Sequence, residues 1–296
     1  MKKLILFCFV LMAWNAQAFD VYNGTNLAGK PQWSSSSVIM NAKDGLPDLK
    51  QDMINNANSP QTSRTFGYMF GRNSLVQNVR CDLWEGPTCV YVFPTVAQQM
   101  AVSSTSANDA AAGTGCQQVE IHYLDGSYLI HSTLVTLNGV TPVNTTPTDL
   151  FRINSFHCIA VGSGGVSAGN ISLKNTGATV TYGFMLAGNN IAHQAIFTIP
   201  AASYGYISHW QASVGSATGT HFTQVDIRAT QHDGNYVPGL FLTVDTIGLQ
   251  NSGVGLTLPI PIRIPAMTDV KMSALSDAAN ANAVVTGAVM GWFEAQ

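Results

Sequence analysis

Apolar and polar residues alternate with a period of two along most of the chain beyond residue 100. Val119, Ile121 and Tyr123 form one such run, and Val180, Tyr182, Phe184 and Leu186 a second. Others are Ala195, Phe197 and Ile199; Leu240, Leu242 and Val244; and Leu256, Leu258, Ile260, Ile262 and Ile264. A strand sends successive side chains to opposite faces, so each run predicts a β-strand with one buried face. Asp125-Gly126, Asn138-Gly139 and Asp233-Gly234 fall between runs and supply residues that accept positive φ, which predicts hairpins. Many short strands joined in this way predict an all-β fold, with one or two jelly-roll-like antiparallel β-sandwich units. Pro259, Pro261 and Pro265 interrupt the last run. Proline donates no ladder bond, so that run is expected at a sheet edge or in an extended crossover.

Ahead of the strands the pattern changes. Met1-Lys2-Lys3, an apolar run from Leu4 to Trp14 and a small-residue end at Ala16-Gln17-Ala18 have the three parts of a cleavable export signal over residues 1–18. The apolar run is too short to span a bilayer, so no membrane association is expected after cleavage, and the mature chain is expected in the periplasm, outside the cell or on a virion. Residues 19–65 are rich in Asn, Ser, Gln and Asp, with Ser34-Ser35-Ser36-Ser37 as low complexity, and predict an extended polar arm with at most a short helix near Leu49 to Ile54. The Gly/Asn turn at Asn175-Thr176-Gly177 divides the remainder into a first β-sandwich unit, 66–177, and a second, 178–296.

Charged residues make up 10% of the chain, against a usual share of about 25%. Net charge is −3, and loss of Lys2 and Lys3 with the signal leaves 11 basic against 16 acidic residues, a net −5. A nucleic-acid partner is therefore not expected, because displacing phosphate counterions needs clustered Lys and Arg. A surface of Ser, Thr, Asn, Gln and Ala loses little hydration when buried, which suits repeated contacts between identical copies.

Cys8 leaves with the signal, and Cys81, Cys89, Cys116 and Cys158 remain as an even set in an exported chain. Four cysteines permit three connectivities. Glu85-Gly86-Pro87 reads as a reversal and favours Cys81 with Cys89, leaving Cys116 with Cys158. A zinc knuckle is disfavoured, since C-x7-C is too wide and no histidine pair at i,i+3 or i,i+4 stands beside the cysteines.

Three groups of residues bear on chemistry. Gly165-Val166-Ser167-Ala168-Gly169 fits G-x-S-x-G, but the following Asn170-Ile171-Ser172-Leu173-Lys174 alternates like a strand instead of opening a helix, so Ser167 is not expected to be a nucleophile. His122 and His131 flank the Asp125-Gly126 turn and would approach one another across a hairpin, although His122 is out of phase with the apolar positions and reads as part of a solvated face. His221 and His232 lie too far apart on one segment to chelate, and His193 and His209 lack an acidic neighbour in sequence. Tyr204, Tyr206 and Trp210 share one strand phase and offer a row of rings that would stack on sugar faces if exposed, while Trp84 and Trp292 read as isolated packing anchors. Asp125-Gly126-Ser127 and Asp233-Gly234-Asn235 have too few oxygen ligands for calcium. No catalytic residue, metal or cofactor is expected.

A chain-long resemblance accompanies these features. Phe70-Gly71-Arg72-Asn73, Leu83-Trp84-Glu85-Gly86 and Tyr91-Val92-Phe93-Pro94 are followed in order by the stretch from Val102 to Asp109, by Gly113-Thr114-Gly115 and by Leu137-Asn138-Gly139-Val140-Thr141-Pro142-Val143. Phe151-Arg152-Ile153-Asn154, Gly162-Ser163-Gly164-Gly165, Phe197-Thr198-Ile199-Pro200-Ala201 and Pro265-x-x-Thr268-Asp269-Val270 complete the series. In order and spacing this resembles β-rich virion structural proteins of tailed phages and large aquatic DNA viruses, over roughly residues 66–275. The resemblance implies a non-enzymatic capsid decoration, fibre or vertex component that self-associates, with a trimer as the simplest form, and that contacts other virion proteins. The export signal and the bridging cysteine at 116 depart from the family pattern. The alternative is a secreted β-sandwich of a bacterial cell surface that binds glycans.

Overall fold

The structure, a computed structural model, describes residues 64–295 except 217, 218, 220 and 231–238; the side chains of residues 64–66 are not described. The export signal, nearly all of the polar arm with its short helix, and the Asp233-Gly234 turn with His232 lie outside the described residues. Sixteen strands are present among the described residues, and no helix long and apolar enough to cross a membrane.

Eight strands make a sandwich of two four-stranded antiparallel sheets. One contains β1 (Arg64–Val76), β16 (Ala283–Ala295), β11 (Ser203–Ser216) and β14 (Gly253–Ile264), hydrogen-bonded in that order. The other contains β10 (Ile196–Thr198), β15 (Asp269–Ser276), β12 (Thr223–Thr230) and β13 (Phe241–Leu249), again in that order. Numbered one to eight along the chain, these strands run 1-8-3-6 in one sheet and 2-7-4-5 in the other. First pairs with last and second with second-last, which is the order of a jelly roll, two Greek keys wrapped into facing sheets. The short β2 (Cys81–Asp82) continues the edge of β15 beyond β10 through Ser273 and Ala274.

A second, smaller sandwich is inserted between the first and second jelly-roll strands. Its sheets are β6 (Val143–Asn144), β3 (Met100–Ser104), β8 (Ile171–Asn175) and β9 (Thr181–Met185) on one side, and β5 (Ile130–Thr136), β4 (Cys116–Leu124) and β7 (Arg152–Val161) on the other. Met100, Val102, Val119, Ile121, Leu150, Phe156, Ile171 and Leu173 meet in its core, all essentially inaccessible to water. The jelly roll has its own core, with Leu83, Trp210, Val225, Ile227, Met272 and Val285 at its centre.

Strand pairing therefore crosses the division placed at 177/178. β1 lies in sequence before it yet pairs along nearly its whole length with β16, and β8 and β9 pair directly across it. Asn175-Thr176-Gly177 closes the β8–β9 hairpin instead of separating domains: Asn175 Oδ1 accepts hydrogen bonds from the backbone N–H of Thr179 and of Val180, both at 2.9 Å. A turn signal specifies only that the chain reverses, and reversal within a sheet has the same local chemistry as reversal between sheets.

The proline-marked run is an edge strand, β14. His209 pairs with Thr257 and Ile207 with Ile262, so the residues between Thr257 and Ile262 bulge away from the ladder where Pro259 and Pro261 cannot donate. Leu256, Leu258 and Ile262 pack against the core, while Ile260 at the crest is 82% exposed and leaves the phase its alternation predicts. The Asp125-Gly126 turn does join β4 to β5, but positive φ falls on Tyr128, with Asp125 Oδ1 accepting from the N–H groups of Ser127 and Leu129. Gly139 takes φ of +59° as expected, but Asn138-Gly139 closes no hairpin, because β5 and β6 belong to different sheets.

Candidate functional site

The aromatic row of β11 is split by the same kind of irregularity. Ser208 is an extra residue in the pairing with β16, and a one-residue bulge sends the positions beyond it to the opposite face. Trp210 consequently lies in the jelly-roll core, fully buried, with its indole N–H donating to Asp245 Oδ2 at 2.9 Å. Tyr204 and Tyr206 stay half-buried on the other face, so the three rings do not form one row. The partner of Tyr206 is instead Trp292, directly opposite on β16, with ring centroids 5.1 Å apart and planes 13° from parallel. The guanidinium of Arg263 on β14 sits 3.7 Å from the centre of the Tyr204 ring. Trp292 is thus a member of an outer cross-strand platform rather than an isolated anchor, whereas Trp84 is buried with its indole N–H on the Thr88 carbonyl.

Two disulfides join Cys81 to Cys89 and Cys116 to Cys158, with Cα separations of 4.6 and 6.1 Å. The first closes a short loop around Trp84. The second ties β4 to β7 inside the inserted sandwich.

Ser167 is buried, and its hydroxyl donates to the Leu186 carbonyl at 3.1 Å. The glycines around it serve a neighbouring carboxylate. Asp109, fully buried, accepts from the backbone N–H of Cys116 and Ala168 through Oδ1 and from the Gly169 N–H and Ser104 hydroxyl through Oδ2, at 2.5–2.8 Å. Four donors on one carboxylate draw three loops together, so the G-x-S-x-G segment has a structural use for its small residues. A Cβ on Gly115 would collide with that carboxylate.

A cleft of about 610 Å³ where the insert meets the jelly roll is lined by Tyr91, Phe93, Phe151, Phe241, Arg152 and Lys271 among others. Both cations are committed to other groups. Arg152 is held by Asp269, and Lys271 donates to Asp82 Oδ2 at 2.9 Å while lying 4.2 Å from the Phe241 ring centre. Burial lowers the Lys271 pKa, against the opposing pull of Asp82.

The approach of His122 to His131 that a β4–β5 hairpin would allow does not occur, in line with the reading of His122 as part of a solvated face. His122 stands opposite Ser132, and His131 opposite Tyr123, one position out of phase and therefore on the other face. His131 stacks on Tyr123 and lies 3.1 Å from Asp125. His122 instead meets residues the sequence reading did not group with it. Glu120 is two positions back on the same strand face, and His157 is the cross-strand neighbour of Glu120 on β7. The Nε2 atoms of both histidines are 3.4 Å from Glu120 Oε2, and the two imidazoles stack with centroids 5.7 Å apart. Glu120-x-His122 was legible as a same-face pair. The 34 residues between His122 and His157 hid the third member, which only the β4–β7 register supplies. Among the other histidines, His193 lies 3.1 Å from Glu85, His221 2.9 Å from Asp277, and His209 3.1 Å from the Thr257 hydroxyl.

No family model matches the chain, and no curated protein matches it either. Among solved structures, alignments are found to a cowpea mosaic virus empty virus-like particle, at 10% identity and a TM-score of 0.22 over 71% of this chain and 88% of that one. The infectious bursal disease virus Gx strain aligns at 11% identity and a TM-score of 0.19, over 78% of this chain and 75% of that one. Likeness at this level carries no argument about fold or role.

Proposed function

We propose that this protein is a non-enzymatic structural subunit of a virus particle that associates with copies of itself, as a decoration, fibre or vertex component. The observation that carries this reading is the jelly-roll strand order, 1-8-3-6 facing 2-7-4-5, with a second sandwich inserted after its first strand. That architecture is used by capsid proteins, and also by lectins and cupins, so the fold needs a second argument. The chain-long resemblance to virion proteins and a surface with few charges provide it.

The open flank of the jelly roll, where β13 and β14 end their sheets, favours contact through side chains. Pro259 and Pro261 remove donors from the free edge of β14, which opposes strand addition. Ile260, Leu240 and Leu242 are exposed on this flank. Sedimentation of the purified exported chain at micromolar concentration is expected to give a closed oligomer, with a trimer as the simplest form, and Ile260→Asp is expected to shift it toward monomer without loss of fold. A monomeric wild-type protein overturns the reading.

The stacked Tyr206–Trp292 pair favours one alternative, a secreted glycan-binding sandwich. Oligosaccharide binding abolished by Tyr206→Ala in a monomeric protein would establish it over the virion subunit.

A further inference from the structure

We propose that Glu120, His122 and His157 form a binding site for a divalent cation of the zinc class, with Glu120 Oε2 and both Nε2 atoms as ligands and a solvent water in the fourth position. Ligand atoms about 2.0–2.1 Å from a tetrahedral zinc ion stand about 3.3 Å from one another. The two contacts from Nε2 to Glu120 Oε2 are each 3.4 Å, and all three candidate ligand atoms lie within 4.8 Å of one another. The scaffold is rigid: two ligands come from alternate positions of β4 and the third from the register partner of Glu120 on β7. Cys116–Cys158 ties these same strands together.

The electrostatics favour a cation over a pair of imidazolium ions. Two protonated rings stacked at 5.7 Å and 14° would repel, whereas neutral imidazoles present lone pairs. His157 Nδ1 lies 3.3 Å from the Ser155 hydroxyl. With Nδ1–H donating there, the Nε2 lone pair faces Glu120, the orienting arrangement common behind metal-bound histidines. The cluster remains reachable, since the side chains are 24–44% exposed. Imidazole and carboxylate donors together suit zinc and its neighbours better than magnesium or calcium.

Titration of tag-free, metal-free protein with zinc chloride is expected to give one site per chain of micromolar affinity or tighter. His122→Gln and Glu120→Gln are each expected to weaken it at least about 100-fold, and Ser155→Ala about 10-fold. His209→Gln is expected to bind as wild type. Near-UV circular dichroism checks that each variant is folded. Cobalt substituted into the wild-type protein should give the intense visible bands of a four-coordinate site, a readout that needs no variant to fold. No zinc uptake by folded wild-type protein, undiminished binding in His122→Gln, or a weak six-coordinate cobalt spectrum overturns the assignment.

Discussion

Arg152 on β7 of the inserted sandwich grips Asp269 on β15 of the jelly roll, with Nε donating to Oδ1 at 2.8 Å and Nη2 to Oδ2 at 3.1 Å. Both side chains are about 95% buried. The Thr198 hydroxyl donates to the same carboxylate at 2.6 Å, and Arg152 Nη1 donates to the Pro94 carbonyl at 2.6 Å. The guanidinium also lies 3.9 Å from the centre of the Phe151 ring. A second pair of bonds runs alongside, since the Asn154 amide exchanges hydrogen bonds with the Thr198 backbone at 2.8 and 3.0 Å. This junction fixes the insert on the jelly roll by polar geometry, where a purely apolar contact would tolerate sliding.

Removing one partner should leave the other buried without compensation. Arg152→Met is expected to lower unfolding free energy by about 3–5 kcal/mol, and pairing it with Asp269→Leu should recover part of that loss. Urea unfolding followed by tryptophan fluorescence measures both. Equal stability of wild type and Arg152→Met would show that the junction carries no load.

Much of the strand pattern was readable before the structure, because alternation reports only local geometry. Val119, Ile121 and Tyr123 are buried on one face of β4 as their spacing requires. The pattern failed where a single residue altered the phase without a chemical mark. Ser208 carries no glycine or proline signature, so nothing in sequence placed Trp210 opposite Tyr206. The jelly roll's insertion was equally hidden, since pairing of β1 with β16 joins segments some 200 residues apart and local alternation cannot choose partners. His157 belongs to the Glu120 cluster for the same nonlocal reason.

The disulfides should contribute unequally. Constraint of the unfolded chain grows with the logarithm of loop length, giving about 4 kcal/mol for Cys116–Cys158 and about 2.6 kcal/mol for Cys81–Cys89. Their sequence separations are 42 and 8 residues. Cys116→Ala/Cys158→Ala is therefore expected to lower the denaturation midpoint more than Cys81→Ala/Cys89→Ala. Peptide mapping without reduction should recover both pairs, and four free thiols in exported protein would contradict the pairing and the oxidising compartment together.

His157 gives the metal-free protein a pH dependence. Burial depresses its pKa, with Glu120 pulling it up and His122 pushing it down. The unfolded chain, with an ordinary value of about 6.5, then takes up the proton first. Stability from this group is fully present above about pH 6.5 and is lost as pH falls through the lowered folded value. In EDTA, unfolding free energy should fall more steeply from about pH 7 to 5 in wild type than in His157→Gln. Parallel slopes would show that His157 is not held neutral by the fold.

The bulge at Ser208 makes opposite demands on two rings only four residues apart. Trp210 fills the core between the jelly-roll sheets and donates to Asp245, so Trp210→Ala removes a large buried volume and takes the indole donor from Asp245 Oδ2. A loss of about 3–5 kcal/mol is expected. Tyr206 lies on the outer face against Trp292, and Tyr206→Ala should cost about 1 kcal/mol, the scale of one aromatic pair. If the three rings shared a face, the two substitutions would have similar effects. Deleting Ser208 tests the phase directly, because it would turn Trp210, Ala212 and Val214 outward together, and the expected result is a chain that does not reach the native state. Soluble, cooperatively unfolding protein from the deletion would mean that β11 runs without the extra residue and that Trp210 faces the same side as Tyr206.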